Sequence, residues 1–339
     1  MGSGDTAVME NTIRWGILGT GHIAGQFARD LRDADGARLV AVGSRARETA
    51  ERFGQEFDVP RRHASYEELL ADTDVDVVYI STPHTLHAAN TIQALDAGKA
   101  VLCEKPFTVN AEQARRVIDT ARRTGRFCME AMWTRFLPIH VRLRELLERR
   151  AIGTVQMLVA DFGIHHDFDP AHRLYDPNLA GGSLLDVGVY PVSLAHMVFG
   201  PPTRIAGQAY LGGTGVDERA AIAMACGTDG VAALTCAIRT RTAHEAFLFG
   251  SEGQIHLHAP WFRTTTMTLR RGGRDEEAIH LPMKGHGLNY QAEEVGRCLR
   301  QDKLESQVMP LEGSLEVMRT LDAIRAQWGL RYPMEAGPA

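Results

Sequence analysis

The sequence predicts an α/β protein with two domains: an N-terminal Rossmann-type doubly wound sheet and a C-terminal α+β domain with a large, mostly antiparallel open sheet. In residues 12–131, β-rich runs alternate with segments of helical spacing, which is typical of βαβ units and a parallel sheet. In residues 132–339, several β-rich runs follow one another almost without helices, which favours antiparallel pairing. Residues 1–11 are polar and are interpreted as a flexible tail.

Composition and charge narrow the class of protein. The 339 residues are 44% hydrophobic and 23% charged, which is enough for two domains with cores of their own. A net charge of −5 without a long basic run argues against nucleic acid or an anionic membrane as a partner. The five cysteines are scattered and form no C-x-x-C pair, which favours reduced thiols and a cytoplasmic location. We see no apolar run of the roughly 20 residues that a membrane helix needs.

The first β-rich run ends in a glycine turn that leads directly into a helical segment. Strand, glycine turn and helix, in this order, are the context that a dinucleotide-binding fingerprint requires. Gly19 would permit the tight turn and Gly21 would let the backbone approach a pyrophosphate, while the helix N-terminus offers unpaired N–H groups. We interpret the turn as a dinucleotide site rather than a structural turn, and its predicted contacts are Gly19, Thr20, Gly21, His22 and Ile23.

The second strand, Arg38–Val42, leads to Ser44 and Arg45. A chain that prefers NAD usually carries an acidic residue here, which bonds the adenosine 2′-hydroxyl. This chain has a hydroxyl and a guanidinium instead, and both suit a 2′-phosphate. The residues predict NADP as the cofactor. The alternative is that they are solvated residues at the start of the next helix.

A later buried strand ends at Glu104-Lys105-Pro106. Because proline has no N–H to donate to a sheet, the strand must stop near Lys105. Lys105 therefore lies at the carboxyl end of a parallel strand, where open α/β sheets bind their ligands. The alternative is an ordinary lysine on a solvated turn. A helix to Thr124 and a last strand, Arg126–Glu130, complete the predicted sheet.

The second half contains one strand that is apolar on both faces, Gly230–Ile238. A strand with one solvated face should carry polar residues at every second position. This strand does not, so both of its faces should be covered. We predict a homodimer formed through the open face of this sheet. The other predicted strands of the domain are 155–162, 204–211, 220–225, 245–250, 254–258 and 264–269, and its predicted helices are 138–150, 183–199, 290–301 and 311–328.

The helix predicted after Gly182 carries the second group of candidate residues. Ser183 is a good N-cap, and Asp186 three residues later would complete a capping box. Asp186 and Tyr190 are four positions apart and share a helix face. Pro191 should free the Val187 carbonyl and kink the axis. These residues fit a functional site and a packing helix equally well.

Hydride-transfer chemistry offers a use for these residues. Taking a hydride from an alcohol carbon requires a base for the hydroxyl proton. The pKa of an unperturbed tyrosine is about 10, which is too high for an effective base near neutrality unless a cation stabilises the phenolate. Lys105 is a candidate for that cation, Tyr190 for the base and Asp186 for the orienting group. Lys105 as the proton carrier is an equally open alternative.

Other reaction classes find less support. The cluster His165, His166, Asp167, Asp169 and His172 follows neither a metal-site spacing nor a helix period, so no metal is predicted. No nucleophile elbow or Ser-His-Asp arrangement is visible, which argues against a hydrolase.

As a set, these motifs resemble the glucose-fructose oxidoreductase / inositol dehydrogenase (Gfo/Idh/MocA) family. The similarity spans nearly the whole chain after the tail. It is greatest to the branch of dimeric dihydrodiol dehydrogenases and NADP-dependent D-xylose 1-dehydrogenases. The motifs that carry it are Gly19-Thr20-Gly21, Thr82-Pro83, His87, residues 99–106, residues 129–136, residues 181–190 and residues 327–333.

The resemblance implies roles for particular residues. Lys105 and Tyr190 would be the catalytic pair, assisted by Asp186. Many relatives carry histidine in place of Tyr190, so the match is to the tyrosine branch. Cofactor contacts implied by the motifs are Thr82, Pro83, His87, Glu104 and Lys105, and substrate contacts are Trp133, Arg135, Phe162, Asp186 and Tyr190.

The sequence therefore predicts an NADP-dependent oxidoreductase that moves a hydride between nicotinamide and a sugar or cyclic diol. The activity would be of the D-xylose 1-dehydrogenase or trans-dihydrodiol dehydrogenase type. Reduction of a keto-sugar is the alternative within the same class. A non-catalytic NADP-binding sensor is the alternative from another class.

Overall fold

The computed structural model describes residues 12–335, which form two compact units. The first unit comprises residues 12–108, 112–136 and 283–314, and the second comprises 109–111, 137–282 and 315–335. The predicted division assigned all of residues 132–339 to the C-terminal domain, whereas here residues 132–136 and 283–314 belong to the first unit and residues 109–111 to the second. The predicted tail, residues 1–11, lies outside the described residues.

The helices and strands follow the predicted order, with two additional short strands at 61–63 and 277–280 and one additional short helix at 66–71. The strands are β1 Ile13–Leu18, β2 Ala37–Gly43, β3 Arg61–His63, β4 Val77–Ile80, β5 Ala100–Glu104, β6 Cys128–Ala131, β7 Val155–Gly163, β8 Pro202–Leu211, β9 Asp217–Cys226, β10 Gly230–Ala237, β11 Ala246–Gly250, β12 Gly253–Leu257, β13 Thr266–Arg271 and β14 Glu277–His280. The α-helices are α1 His22–Asp30, α2 Arg47–Glu56, α3 Tyr66–Ala71, α4 His87–Asp96, α5 Ala111–Thr124, α6 Pro138–Glu148, α7 Val189–Phe199, α8 Asn289–Leu299 and α9 Leu311–Gln327.

The sheet of the first unit has the strand order β3-β2-β1-β4-β5-β6, and every neighbouring pair is parallel. This order confirms the predicted doubly wound fold. All residues of β4 and β5 are buried, as expected for strands that are covered by helices on both faces. The strand order reverses between β1 and β4, so the carboxyl ends of these two strands flank the crevice in which such sheets bind ligands.

The returning segment 283–314 is attached to the first unit by hydrogen bonds from its backbone. The buried carboxylate of Asp30, at the end of α1, accepts hydrogen bonds from the backbone N–H groups of His286 (2.9 Å) and Leu288 (2.9 Å). Leu288 directly precedes α8, so Asp30 fixes the beginning of that helix. The Cys128 N–H donates to the Leu304 carbonyl at 3.1 Å and joins the end of the segment to β6.

The sheet of the second unit has eight strands in the order β14-β13-β12-β11-β7-β10-β9-β8. Only β7 and β10 pair in parallel, so the predicted large and mostly antiparallel sheet is confirmed. The helix α7 packs against β7 and β10 on one face. Side chains on these two strands alternate between buried and exposed, because the sheet has one covered and one open face.

One described segment, Pro177–Phe199, has the length and hydropathy of a membrane span. Its most apolar window is 83% buried within the protein. The central helix of a folded domain is typically apolar and buried in this way. The carboxyl-terminal part of the segment is α7.

Candidate active site

The glycine turn after β1 has the geometry that a dinucleotide requires. Gly19 has φ +105°, and an added Cβ would lie 3.0 Å from the Ser81 hydroxyl, so a side chain is disfavoured here. Gly21 is exposed, and an added Cβ would meet no atom of the described chain within 4 Å. Gly21 is also the N-cap of α1. It has no side chain to cap the helix, and the first turn of that helix carries no acidic residue. The turn therefore presents open space and helical N–H donors, which fit a diphosphate.

Ser44 and Arg45 follow β2 at the same edge of the sheet. Ser44 is buried, and its hydroxyl lies 2.5 Å from that of Thr49 in α2. Arg45 is exposed and its guanidinium lies near the Tyr66 phenol. Burial raises the pKa of Tyr66, while the charge of Arg45 acts in the opposite direction. The exposed Arg45 guanidinium is available to a 2′-phosphate. The buried Ser44 hydroxyl is bonded to Thr49, whose own hydroxyl donates to the Ala46 carbonyl at 2.8 Å.

Lys105 begins the turn that follows β5, and this turn is held by hydrogen bonds on both sides of it. The Glu104 carboxylate accepts hydrogen bonds from the Tyr79 hydroxyl (2.6 Å) and from the Lys105 N–H (3.1 Å). The Phe107 N–H donates to Glu130 on β6 at 3.0 Å. Lys105 is half-buried between these fixed points, so its position is set by the strand end, as predicted.

His87 connects this turn to the turn after β4. The imidazole is buried, and its nitrogens lie 2.8 Å from the Pro106 carbonyl and 2.8 Å from the Thr82 carbonyl. Burial lowers the pKa of His87, although the hydrogen bonds with the Pro106 and Thr82 carbonyls act in the opposite direction. The predicted cofactor residues Thr82 and His87 thus join two turns at the carboxyl edge of the sheet, and Pro83 is exposed beside them.

The carboxyl groups below the turn are shielded from solvent. Burial raises the pKa of Glu104, although Lys105 and the Tyr79 hydroxyl act in the opposite direction. Burial also raises the pKa of Glu130 to about 7. The low polarity around Glu130 therefore favours its protonated form more than solvent would.

In the second unit, Asp186 and Tyr190 belong to a continuous helical segment. Residues Leu184–Gly188 form a π-helical turn and α7 follows it directly. The irregularity that Pro191 predicts is therefore this widened turn, which precedes the proline. The predicted capping box is wrong: Ser183 makes no capping bond, and its hydroxyl donates to Asp217 on β9 at 2.7 Å. The buried Asp217 carboxylate takes the capping role because the Leu184 N–H also donates to it at 2.7 Å.

Asp186 is paired with a cation that the sequence did not indicate. Its carboxylate accepts a hydrogen bond from the Arg173 guanidinium at 2.8 Å. The side chain of Asp186 is 8% exposed and that of Arg173 is 54% exposed. The pair thus presents guanidinium donors to solvent next to a nearly buried acceptor. Arg173 lies in a polar loop without periodicity, so no sequence pattern connects it to Asp186.

Aromatic rings surround the Tyr190 phenol. The ring centroid of Phe162 lies 5.2 Å from that of Tyr190, and the ring of Phe262 stacks on Phe162 at 3.9 Å. His244 meets the Phe162 ring edge-on at 5.2 Å. Tyr190 is 7% exposed, so its ring is packed against a mainly apolar wall. Such a wall suits the C–H faces of a sugar or a cyclic diol, while the acid and phenol suit its hydroxyl groups.

The remaining predicted residues lie in the first unit. Trp133 and Arg135 are in a short 3₁₀ turn after β6, where Trp133 is half-buried. Arg135 is buried, and its guanidinium donates to the Val308 carbonyl at 3.2 Å. Their contact with substrate stays a prediction, as does the pairing of Lys105 with Tyr190, which belong to different units. Across residues 12–335 no group of three or more His, Cys, Asp or Glu is placed to hold a metal ion.

Residues 13–132 match an oxidoreductase family with an NAD-binding Rossmann fold, and residues 140–256 match the GFO/IDH/MocA C-terminal domain. The chain belongs to the GFO/IDH/MocA oxidoreductase family. The family resemblance drawn from the motifs is confirmed, and with it the assignment of the protein as an oxidoreductase.

Several known proteins are similar to this chain over nearly their full length. D-xylose 1-dehydrogenase (NADP(+)) from Hypocrea jecorina is 36% identical, over 95% of this chain and 93% of that protein. Trans-1,2-dihydrobenzene-1,2-diol dehydrogenase from Mus musculus is 36% identical, over 95% of this chain and 99% of that protein. Among solved structures, a 3-ketoreductase from Actinomadura kijaniata in complex with NADP and TDP-benzene superposes with a TM-score of 0.83 at 26% identity, covering 93% of this chain and 98% of that one.

Proposed function

We propose that this GFO/IDH/MocA oxidoreductase is an NADP-dependent dehydrogenase that acts on a CH–OH group of a sugar or cyclic diol. The observation that carries the proposal is the packing of the Tyr190 ring against the aromatic wall of Phe162 and Phe262, on the same helical segment as Asp186. The two relatives at 36% identity, a D-xylose dehydrogenase and a dihydrodiol dehydrogenase, support the same class of substrate.

The first unit would hold the cofactor at the carboxyl edge of its sheet. The turn at Gly19 and Gly21 would receive the diphosphate, and Ser44 with Arg45 would receive the 2′-phosphate. Bound NADP supplies the hydride acceptor, and NADPH the hydride donor, in the two directions of the reaction. The fixed turn of Glu104 and Lys105 would place the lysine beside the reactive end of the cofactor.

The chain itself would supply the proton chemistry. In the oxidation direction, Tyr190 would accept the hydroxyl proton as a phenolate, which the Lys105 ammonium would stabilise. Asp186 would accept a hydrogen bond from the substrate and orient its hydroxyl, and Arg173 keeps that carboxylate in place. The aromatic wall would exclude water from the reacting carbon.

A substrate panel tests the function. The protein would be incubated with NADP⁺ and aldoses, inositols or trans-dihydrodiols, and with NADPH and keto-sugars, while the absorbance of reduced nicotinamide is followed. Turnover of an aldose or a dihydrodiol is the expected result, whereas turnover of keto-sugars alone would favour the reductase alternative. Tight NADPH binding without turnover of any compound would favour the non-catalytic sensor.

Arg45 should decide the choice between NADP and NAD. Replacing it with alanine should raise the KM for NADP by about 10-fold to 100-fold, the loss expected for a charge-assisted bond to phosphate, and leave the KM for NAD almost unchanged. Steady-state kinetics with both cofactors measure this ratio. Arg47→Ala is the matched control, because that exposed guanidinium pairs with Glu51 at 3.9 Å and should not contact the phosphate. Equal changes for NADP and NAD in the Arg45 variant would contradict the assignment.

We propose further that the protein is a cytoplasmic homodimer formed through the open face of the eight-stranded sheet. Met157, Val159 and Val231 on this face are 44%, 38% and 42% exposed. Apolar side chains in adjacent register on a sheet are a favourable surface for a second copy. All five cysteines are free and buried, which supports a reducing compartment.

The dimer can be tested by multi-angle light scattering at micromolar concentration. Wild-type protein should have twice the mass of the chain, and Val231→Glu should shift it to the monomer because the new charge would be buried against the partner. Val141→Glu is the control, since Val141 is 38% exposed on α6 and lies off the sheet. A monomeric wild-type protein would contradict the proposal.

A further inference from the structure

The start of the π-helical turn that carries Asp186 is fixed by a single carboxylate. One oxygen of Asp217 accepts hydrogen bonds from the Ser183 hydroxyl and from the Leu184 N–H, both at 2.7 Å. Ser183 lies 34 positions before Asp217, which is the first residue of β9. The turn is therefore attached at its first residue to the sheet that lies beneath it.

The surroundings of this carboxylate leave it little freedom to move. Asp217 is fully buried, and burial raises its pKa to about 6 although the Ser183 and Leu184 donors act in the opposite direction. The oxygen that meets Ser183 and Leu184 therefore acts as the acceptor of both bonds. Gly182 has φ +116°, and an added Cβ there would lie only 2.2 Å from the second Asp217 oxygen. The chain before the turn therefore passes directly over the carboxylate.

The end of the same turn is also packed closely on the sheet. An added Cβ at Gly188 would lie 2.9 Å from the sulfur of Cys236 on β10. The turn thus has a hydrogen-bonded attachment at Leu184 and a close backbone approach at Gly188. Asp186 lies between these two points, and Tyr190 follows the second one. Any shift of the attachment at Leu184 would move the Asp186 carboxylate relative to Tyr190.

We propose that Asp217 is a positioning residue for the reaction, which holds the turn of Asp186 and Tyr190 in its reactive geometry through Ser183 and Leu184. The inference rests on the proposed function of Asp186 and Tyr190. Asp217 acts on the turn through its bonds with the Ser183 hydroxyl and the Leu184 N–H. A displacement of a reacting group by about 1 Å can cost about 100-fold in rate, so loss of this attachment should be visible in turnover.

The test compares two replacements of Asp217. Asp217→Ala leaves the Leu184 N–H and the Ser183 hydroxyl without their acceptor and should lower kcat by about 10-fold to 100-fold. The KM for NADP should stay unchanged, because the turn that binds the cofactor lies in the other unit. Asp217→Asn should restore much of the lost kcat, since one amide oxygen can accept both hydrogen bonds.

Asp30→Ala is the matched control for lost stability. Asp30 is also a buried aspartate that accepts backbone N–H bonds where a helix begins, but it acts on α8 in the first unit. Both alanine variants should melt at lower temperature than wild type, and only Asp217→Ala should lose kcat. If Asp217→Ala keeps wild-type kcat, or Asp30→Ala loses as much, the positioning role is wrong.

Two further measurements keep the outcome unambiguous. Ser183→Ala removes one of the two donors, leaves the Leu184 bond in place and should lower kcat less than Asp217→Ala does. If Asp217→Ala does not fold, Ser183→Ala is measured in its place. Wild-type turnover is measured first with the same substrate panel. No turnover by wild type would contradict the proposed function itself, whereas normal wild-type turnover with unaffected Asp217 and Ser183 variants would contradict only the positioning role.

Discussion

Replacing Lys105 with alanine should lower kcat by about 100-fold to 10,000-fold, the range expected for loss of a group that takes part in proton transfer. The side chain follows the strand end at Glu104 and is not part of the glycine turn. NADPH binding, measured by quenching of tryptophan fluorescence, should therefore change by no more than a few-fold. Activity near the wild-type level in this variant would remove Lys105 from the mechanism.

Lys99, at the other end of the same strand, provides a matched control. Its ammonium donates to the backbone carbonyls of Asp72 (2.5 Å) and Val75 (2.9 Å), and burial lowers its pKa. Lys99→Ala should lower the melting temperature because two buried carbonyls lose their donor. Its kcat should stay close to that of wild type, since Lys99 precedes the amino end of β5 and Lys105 follows the carboxyl end. A comparable loss of kcat in both variants would indicate a general effect of disturbing β5.

Local sequence patterns were sufficient to predict most of the fold. The buried runs of β4 and β5 can be recognised from a few neighbouring residues. The same is true of the glycines that end the helices after these strands. The two strands without such a signal, Arg61–His63 and Glu277–His280, are only three and four residues long and lie at sheet edges, where they pair with a single neighbour. The return of α8 to the first unit depends on the Asp30 carboxylate far along the chain, and helical periodicity contains no information about such a partner.

The same difference between local patterns and distant partners applies to the candidate active site. The position of Lys105 at a strand end and the shared location of Asp186 and Tyr190 follow from neighbouring residues. The residue that caps the turn could not be predicted from neighbouring residues. Ser183 had a plausible local partner in Asp186, but the acceptor that it uses is on β9. Arg173 could be linked to Asp186 only after the loop that carries it was placed. Sequence spacing thus identified which residues share an element, and tertiary packing decided which charges they meet.

Replacing Tyr190 with phenylalanine should lower kcat by about 100-fold or more, because the phenol is the proposed proton acceptor while the ring only completes the aromatic wall. Tyr175→Phe is the control: its hydroxyl donates to the His166 carbonyl at 2.6 Å in the same unit, so that variant should lose stability and keep its turnover. The measurement is kcat/KM for oxidation as a function of pH, in wild type and in each variant.

The pH profiles also decide which residue carries the proton. A base works only when deprotonated, so kcat/KM should rise with pH through the pKa of that base and then level off. If Tyr190 is the base and Lys105 lowers its pKa, Lys105→Ala should move this rise toward the unperturbed tyrosine value of about 10, and Tyr190→Phe should abolish it. If Lys105 carries the proton, the rise should persist in Tyr190→Phe and disappear in Lys105→Ala. The two variants therefore give opposite patterns for the two mechanisms, and a profile that keeps the wild-type rise in both would exclude the pair as the source of the base.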